Sequence, residues 1–211
     1  MAEKQKEALK EALLDVRHAY ALLDSYQKRV LNTCKYIGDK FDMLFYQTDF
    51  SSGLPPKRAD NPFSRDPKVF LPLFNVAFLF LSSKTLEQTD LTRANDWMLV
   101  VRVLADRDSA KEQSDDLKGW TESDSAIALY AFKSTEDKKR NWFWDLFGQV
   151  DWPTPAKLQV YDGMAMEGYG RLFSMDDLFD KDAIDKTVSA FSEEIKKKLR
   201  ISVTIRDLDN A

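Results

Sequence analysis

Leu9, Leu13, Val16, Tyr20, Leu23, Gln27, Val30, Cys34, Ile37, Phe41 and Leu44 follow one another at alternating steps of four and three residues. Only an α-helix gathers residues at that spacing along one side, and the pattern is a heptad seam. A single helix from about residue 3 to 46 would be on the order of 65 Å long at about 1.5 Å per residue. That exceeds the width of a compact domain built from 211 residues. The helix must therefore bend or run past its own domain. Gly38 offers a place for a break, because glycine costs about 1 kcal/mol relative to alanine inside a helix.

The early turns carry Glu3, Lys4, Lys6, Glu7, Lys10 and Glu11, which give the helix a solvated face rather than a membrane-binding one. The seam has two readings. It can be a scaffold stripe packed on its own domain, or a surface that joins another protein or another copy of the chain through Leu9, Leu13, Val16, Tyr20, Leu23 and Gln27. Gln27, a polar residue on the stripe, would restrict the register of such a pairing.

Residues 47–68 hold four of the seven prolines together with Ser51, Ser52, Gly53, Asp60 and Asn61, so a loop is expected there. Lys57, Arg58 and Arg65 alternate with acids in it and make a poor phosphate clamp. After the loop the period changes. Leu73 to Leu81, Trp97 to Ala105 and Ala126 to Phe132 are short, aromatic or β-branched runs that are almost continuously apolar. Strands of this kind need cover on both faces. Neither intervening segment, Ser83 to Asn95 nor Asp106 to Ser125, supplies a crossover helix, so a mainly antiparallel sheet is expected. The predicted fold is α+β, with that sheet covered by the long N-terminal helix of residues 1–46 and by a C-terminal helix. Residues 69–211 and the helix form one globular unit.

Ser174 can cap a C-terminal helix. Asp176, Asp177, Asp180 and Asp182 lie early in it and Lys196, Lys197, Lys198 and Arg200 late, which suits the helix dipole. Its inward stripe is Ile184, Val188, Phe191, Ile195 and Leu199. The acidic group does not follow a calcium loop, since Asp185 stands where that loop requires glycine. Ile201 to Ile205 alternates in the manner of an edge strand.

NWFWDLFGQVDW, residues 141–152, places three of the chain's five tryptophans beside Phe143 and Phe147. Phe147 can share a face of a short helix with Trp144 or with Phe143, and Gly148 would end that helix. Trp142, Trp144, Phe147 and Trp152 are thus candidates either for core packing or for a contact with a ligand or protein partner. Further on, Lys157 to Phe173 reads as a strand, an Asp162-Gly163 turn and a return strand. The spacing Gly168-Tyr-Gly170 departs from a dinucleotide fingerprint, because Phe173 occupies the third glycine's place.

Catalytic sets are scarce. His18 is the single histidine, and neither a GxSxG elbow nor a GxxxxGK[ST] phosphate loop occurs. Ser25 and Lys28 match a Ser-x-x-Lys spacing whose companion motifs are missing. Cys34 sits on the apolar seam with no histidine beside it, so a buried thiol is expected rather than a nucleophile. One enzymatic alternative remains, a metal-dependent phosphodiesterase or nuclease built on Asp106 and Asp108 with Asp96 or Glu112.

The charge, 31 bases against 35 acids for a net −4, gives no basic stripe for nucleic acid. The charged opening residues lack the apolar run of a secretory signal, no segment is long and apolar enough for a membrane helix, and a lone cysteine suits a reducing compartment. A cytoplasmic, non-enzymatic protein-protein interaction or adaptor protein is the expected function, with no cofactor. A small-ligand sensor domain is the second expectation.

Overall fold

The computed structural model describes residues 2–50, 75–105, 124–178 and 180–208. Two compact units emerge, Met1–Thr33 and Cys34–Ala211. Helix α1 is Ala2–Lys40, so its last turns belong to the second unit. Strands β1 (Leu44–Phe50), β2 (Asn75–Leu81), β3 (Trp97–Leu104), β4 (Ala126–Ser134), β5 (Gln159–Tyr161) and β6 (Met166–Ser174) follow, with a one-turn α2 (Ser83–Leu86) after β2 and α3 (Lys181–Leu199) after β6.

Among the described residues the six strands form one antiparallel sheet in the order β1-β2-β3-β4-β6-β5. The fold is therefore α+β, with a helix at each end of the chain. The three central strands are buried at nearly every position, which accounts for their unbroken apolar sequence. On one face, the end of α1 and the stripe of α3 cover the sheet. Phe41 meets Trp97 edge-on at 6.0 Å and Phe191 at 6.2 Å, and Tyr169 stacks on Phe191 at 6.4 Å. Ile184, Val188, Phe191, Ile195 and Leu199 are all buried, as their spacing requires. The opposite face, which carries Ala77, Leu79, Leu81, Met98, Val100, Ala128, Tyr130 and Phe132, is covered by the aromatic segment after β4.

Several boundaries differ from the sequence expectation, each for a local reason. Helix α1 stops at Lys40 rather than near residue 46. Met43 N–H donates to the Gly38 carbonyl and Asp42 N–H to that of Asp39, both at 3.1 Å, while Asp42 takes a left-handed conformation at φ 55°. This is a Schellman closure, and an aspartate tolerates its backbone. Leu44 thus leaves the seam to begin β1, and residues 47–50 of the expected loop are strand; residues 51–68 lie outside the described residues.

Gly38 does not break the helix. A Cβ there would come within 2.5 Å of the Phe80 ring, so the missing side chain lets α1 lie directly on β2. Ser174 ends β6, and α3 is capped instead by Asp180, whose carboxylate accepts from Ala183 N–H at 2.8 Å. A short 3₁₀ turn, Met175–Leu178, separates the two. Residues 201–205 pair with no strand among the described residues; Ile201 is buried, and Arg206 N–H caps the Lys40 carbonyl at 2.8 Å. β4 continues to Ser134, two residues past the expected end at Phe132, and the described part of the expected strand from Leu73 starts at Asn75.

Where α1 meets α3, Lys40 is buried and its ammonium lies 3.0 Å from Asp185, which also accepts the Tyr36 hydroxyl at 2.8 Å. Asp185, the residue that breaks the calcium pattern, is thus the counter-ion that lets a lysine sit inside.

Gly38→Val should force the helix off Phe80 and cost about 1–3 kcal/mol, the usual range for overpacking. A urea-unfolding free energy lowered by that amount, with Asn32→Val on the exposed side of α1 nearly silent, is the expected result. Equal effects at both positions would mean that helix propensity, not packing, governs.

Candidate functional site

The seam divides into two halves with different surroundings. From Val30 through Cys34, Ile37 and Phe41 its side chains are buried. Earlier along the helix they are open: Leu9 is 60% exposed, Leu13 49%, Val16 49% and Tyr20 68%, while Leu23 and Gln27 are half-buried. Leu14 and Leu22, off the stripe, are exposed too. The ion pairs of this stretch, Glu7 with Lys10 at 3.1 Å and Asp24 with Lys28 at 2.7 Å, run along the helix between exposed groups. Such pairs contribute only about 0.2–0.5 kcal/mol each. Burying a leucine or valine is worth about 1.5–3 kcal/mol, so water against this stripe is its least favourable neighbour. Cys34, at the start of the buried half, has its thiol pushed up to about 12 by burial and is no nucleophile.

The second candidate region is built on Asn141. Its side-chain oxygen accepts from Phe143 and Trp144 N–H at 2.9 and 3.0 Å, its amide nitrogen donates to Asp90 at 2.7 Å, and its own N–H donates to the Asp145 carboxylate at 2.7 Å. These bonds start a π-helical turn, Trp142–Leu146, which tightens into a 3₁₀ turn, Phe147–Gln149. The wide turn sends Trp142, Leu146 and Phe147 down into the sheet and leaves Trp144 exposed. Phe143, not Trp144, shares the face of Phe147, with rings stacked 6.1 Å apart. Trp142 is fully buried, yet its indole N–H meets no acceptor among the described residues. The four aromatic candidates are therefore not one surface: Trp142 and Phe147 are core, Trp152 is partly buried, and Trp144 faces water.

Beneath this layer lies a group that sequence reasoning passed over. Arg102, in the middle of the apolar run of β3, is buried. It falls in one row across the sheet with Asp49, Ala77 and Ala128, so two alanines leave room for its side chain. Its Nε donates to Asn75 at 3.1 Å and its guanidinium lies 4.2 Å from the Trp152 ring centre. Tyr130, whose ring is 5.0 Å from that of Trp152, also bonds to it. Burial lowers the Arg102 pKa, against the pull of Tyr130 and Asp49, and burial raises that of Asp49, against the pull of Arg102.

The Gly168-Tyr-Gly170 spacing has its reason here. A Cβ at Gly170 would fall 2.1 Å from the Tyr130 ring, and one at Gly168 would press on Tyr161, Pro153 and Phe132. The glycines let aromatic rings lie flat on β6, while Tyr169 between them turns to the other face and donates to Glu194 at 2.6 Å. A charged residue inside an otherwise apolar strand was the available signal, with the paired glycines of β6 two strands away.

The metal alternative gains no geometry. Asp106, Asp108 and Glu112 lie outside the described residues, and Asp96 stands just before β3. Among the described residues no three His, Cys, Asp or Glu side chains are grouped to hold an ion. Likewise, among the described residues no helix is long and apolar enough to cross a membrane.

Comparison with known proteins adds a relationship. A family model described as PM0109 matches residues 6–200, a range that takes in both the open seam and the aromatic segment. A curated relative, Uncharacterized protein PM0109 of Pasteurella multocida (strain Pm70), is 23% identical over 212 residues, covering 89% of this chain and 94% of its own length. No solved structure matches.

Burial raises the phenols of Tyr46, Tyr130, Tyr161 and Tyr169, and burial followed by the bond to Asp185 pushes Tyr36 up to about 12. An unfolded phenol ionises near pH 10, so the folded chain holds these protons longer than the unfolded one. Stability is then complete below about pH 10 and falls as pH climbs from there toward 12. Urea midpoints should drop between pH 9 and pH 11. Tyr36→Phe should start lower, having lost its bond to Asp185, and fall less steeply; an identical slope would dissociate Tyr36 from the loss.

Proposed function

The chain belongs to the PM0109 family, and we propose that it is a non-enzymatic, cytoplasmic interaction protein of adaptor type that engages a helix of matching pattern through its open seam. The observation that carries this reading is the exposure of Leu9, Leu13, Val16 and Tyr20 on a helix whose later seam residues are buried. A stripe so regular and so apolar is the geometry by which one helix recognises another. A second copy of the chain supplies such a helix. The cytoplasmic placement is supported by the lone cysteine, which is a free thiol. Exposed Trp144 offers a secondary contact on the second unit.

A small-ligand sensor is the second reading, favoured by Arg102, a buried cation set under aromatic rings. Under it, small anionic metabolites should quench tryptophan fluorescence in the intact protein and not in Arg102→Met. Absence of quenching by any of them removes it.

For the leading reading, light scattering on the intact chain should give a mass above that of one copy, rising with concentration. Leu13→Glu with Tyr20→Glu should return it to the monomer, and at a concentration low enough for the parent to be a monomer too, the two unfolding free energies should agree within about 0.5 kcal/mol, as expected for changes at exposed sites. An intact chain that is monomeric at every concentration removes self-association from the proposal.

A further inference from the structure

Building on the seam reading above, we infer that two copies of the chain pair their α1 helices antiparallel, about a two-fold axis beside residue 18. The stripe is open to water from Leu9 to Tyr20 and half-buried at Leu23 and Gln27, while Val30 onward is buried and unavailable to a second copy; the stretch from Leu9 to Gln27 that can still meet a second helix is centred on residue 18. Laid antiparallel on itself about that centre, the stretch sets Leu13 against the second copy's Leu23, Val16 against its Tyr20, and Leu9 against its Gln27 at the wet end of the overlap.

The rows flanking the seam decide the direction. One row holds Glu3, Lys10, Arg17 and Asp24; the other holds Gln5, Ala12, Ala19 and Tyr26 and carries no formal charge. A parallel pair brings the first row of one helix against the second row of the other, so no ion pair can fix it. It would also lay Lys6, a seam position, against its own copy. An antiparallel pair brings each row against itself. With the axis beside residue 18, Lys10 meets Asp24 of the second copy at both ends, and Ala19 meets Ala19 at the axis, small against small, so the helices can approach closely.

The one like-charged meeting is Arg17 with Arg17, long side chains at the rim that can turn outward. Lys10 and Asp24 now pair with Glu7 and Lys28 along the exposed helix, and such partners exchange at little cost. Neighbouring registers fail. One heptad toward the N-terminus sets Lys10 against Arg17 and Glu3 against Asp24. One heptad the other way requires Val30, which is buried.

Disulfide trapping in the full-length chain separates these arrangements, with Cys34→Ala as background. Ala19→Cys should cross-link to itself under mild oxidation, and Leu13→Cys mixed with Leu23→Cys should give the mixed dimer. Leu9→Cys should stay unlinked to itself, because its two copies would stand about 27 Å apart along the pair at about 1.5 Å per residue. Light scattering on the background chain gives the oligomeric state beside each result. A dimer in which Leu9→Cys links to itself, or in which Ala19→Cys does not, overturns the antiparallel arrangement and leaves the seam reading standing. A background chain that is a monomer throughout overturns both.

Discussion

Strands β2, β3 and β4 carry apolar side chains on both faces, and the rest of the second unit follows from the need to keep water off each of them. Neither face could be left open without exposing a row of Phe, Leu, Val and Met. The helical face is closed by the end of α1 and by the stripe of α3, which meet around Phe41, Trp97 and Phe191. The other face has no long helix on it among the described residues. It is closed by a twelve-residue aromatic segment, residues 141–152, in which each large ring contributes far more covering area per residue than an aliphatic side chain would.

Close cover of both faces requires small residues beneath it. Gly38 brings the backbone of α1 onto Phe80, and Gly168 and Gly170 let Phe132, Tyr161 and Tyr130 lie against β6. The two alanines beside Arg102 serve the same end for a guanidinium, which is held between Asn75, Tyr130 and Trp152. A planar cation suits a layer of rings because its face can stack while its edge donates hydrogen bonds, which an ammonium group cannot do. The second unit is thus closed on both sides largely by its own side chains.

In α1 one periodic pattern serves two environments. Its later residues complete a core, and its earlier ones show the same spacing to solvent. The chemistry of the flanking rows, charged on one side and uncharged on the other, is what would suit the stripe to an antiparallel copy rather than leave it only amphipathic. That distinction lies in the residues beside the seam rather than in the seam.

The heptad period, the apolar strands, the antiparallel sheet and the stripe of α3 were all determined by the sequence alone, because each is a local repeat that backbone geometry converts directly into a face. What tertiary structure decided were the places where two distant segments compete for one position. Asp42 ends α1 because β1 must begin under β2, although the repeat itself runs on to Leu44. Asp180 rather than Ser174 starts α3 because β6 needs Ser174 opposite Ala126. Trp142 and Trp144, two residues apart in a run of similar rings, go to core and to water because a π turn rotates them apart. Arg102 gives no periodic signal, since its burial depends on alanines and a tryptophan contributed by other strands and by a loop. Repeats are written along the chain; shared space is assigned only when the chain has folded.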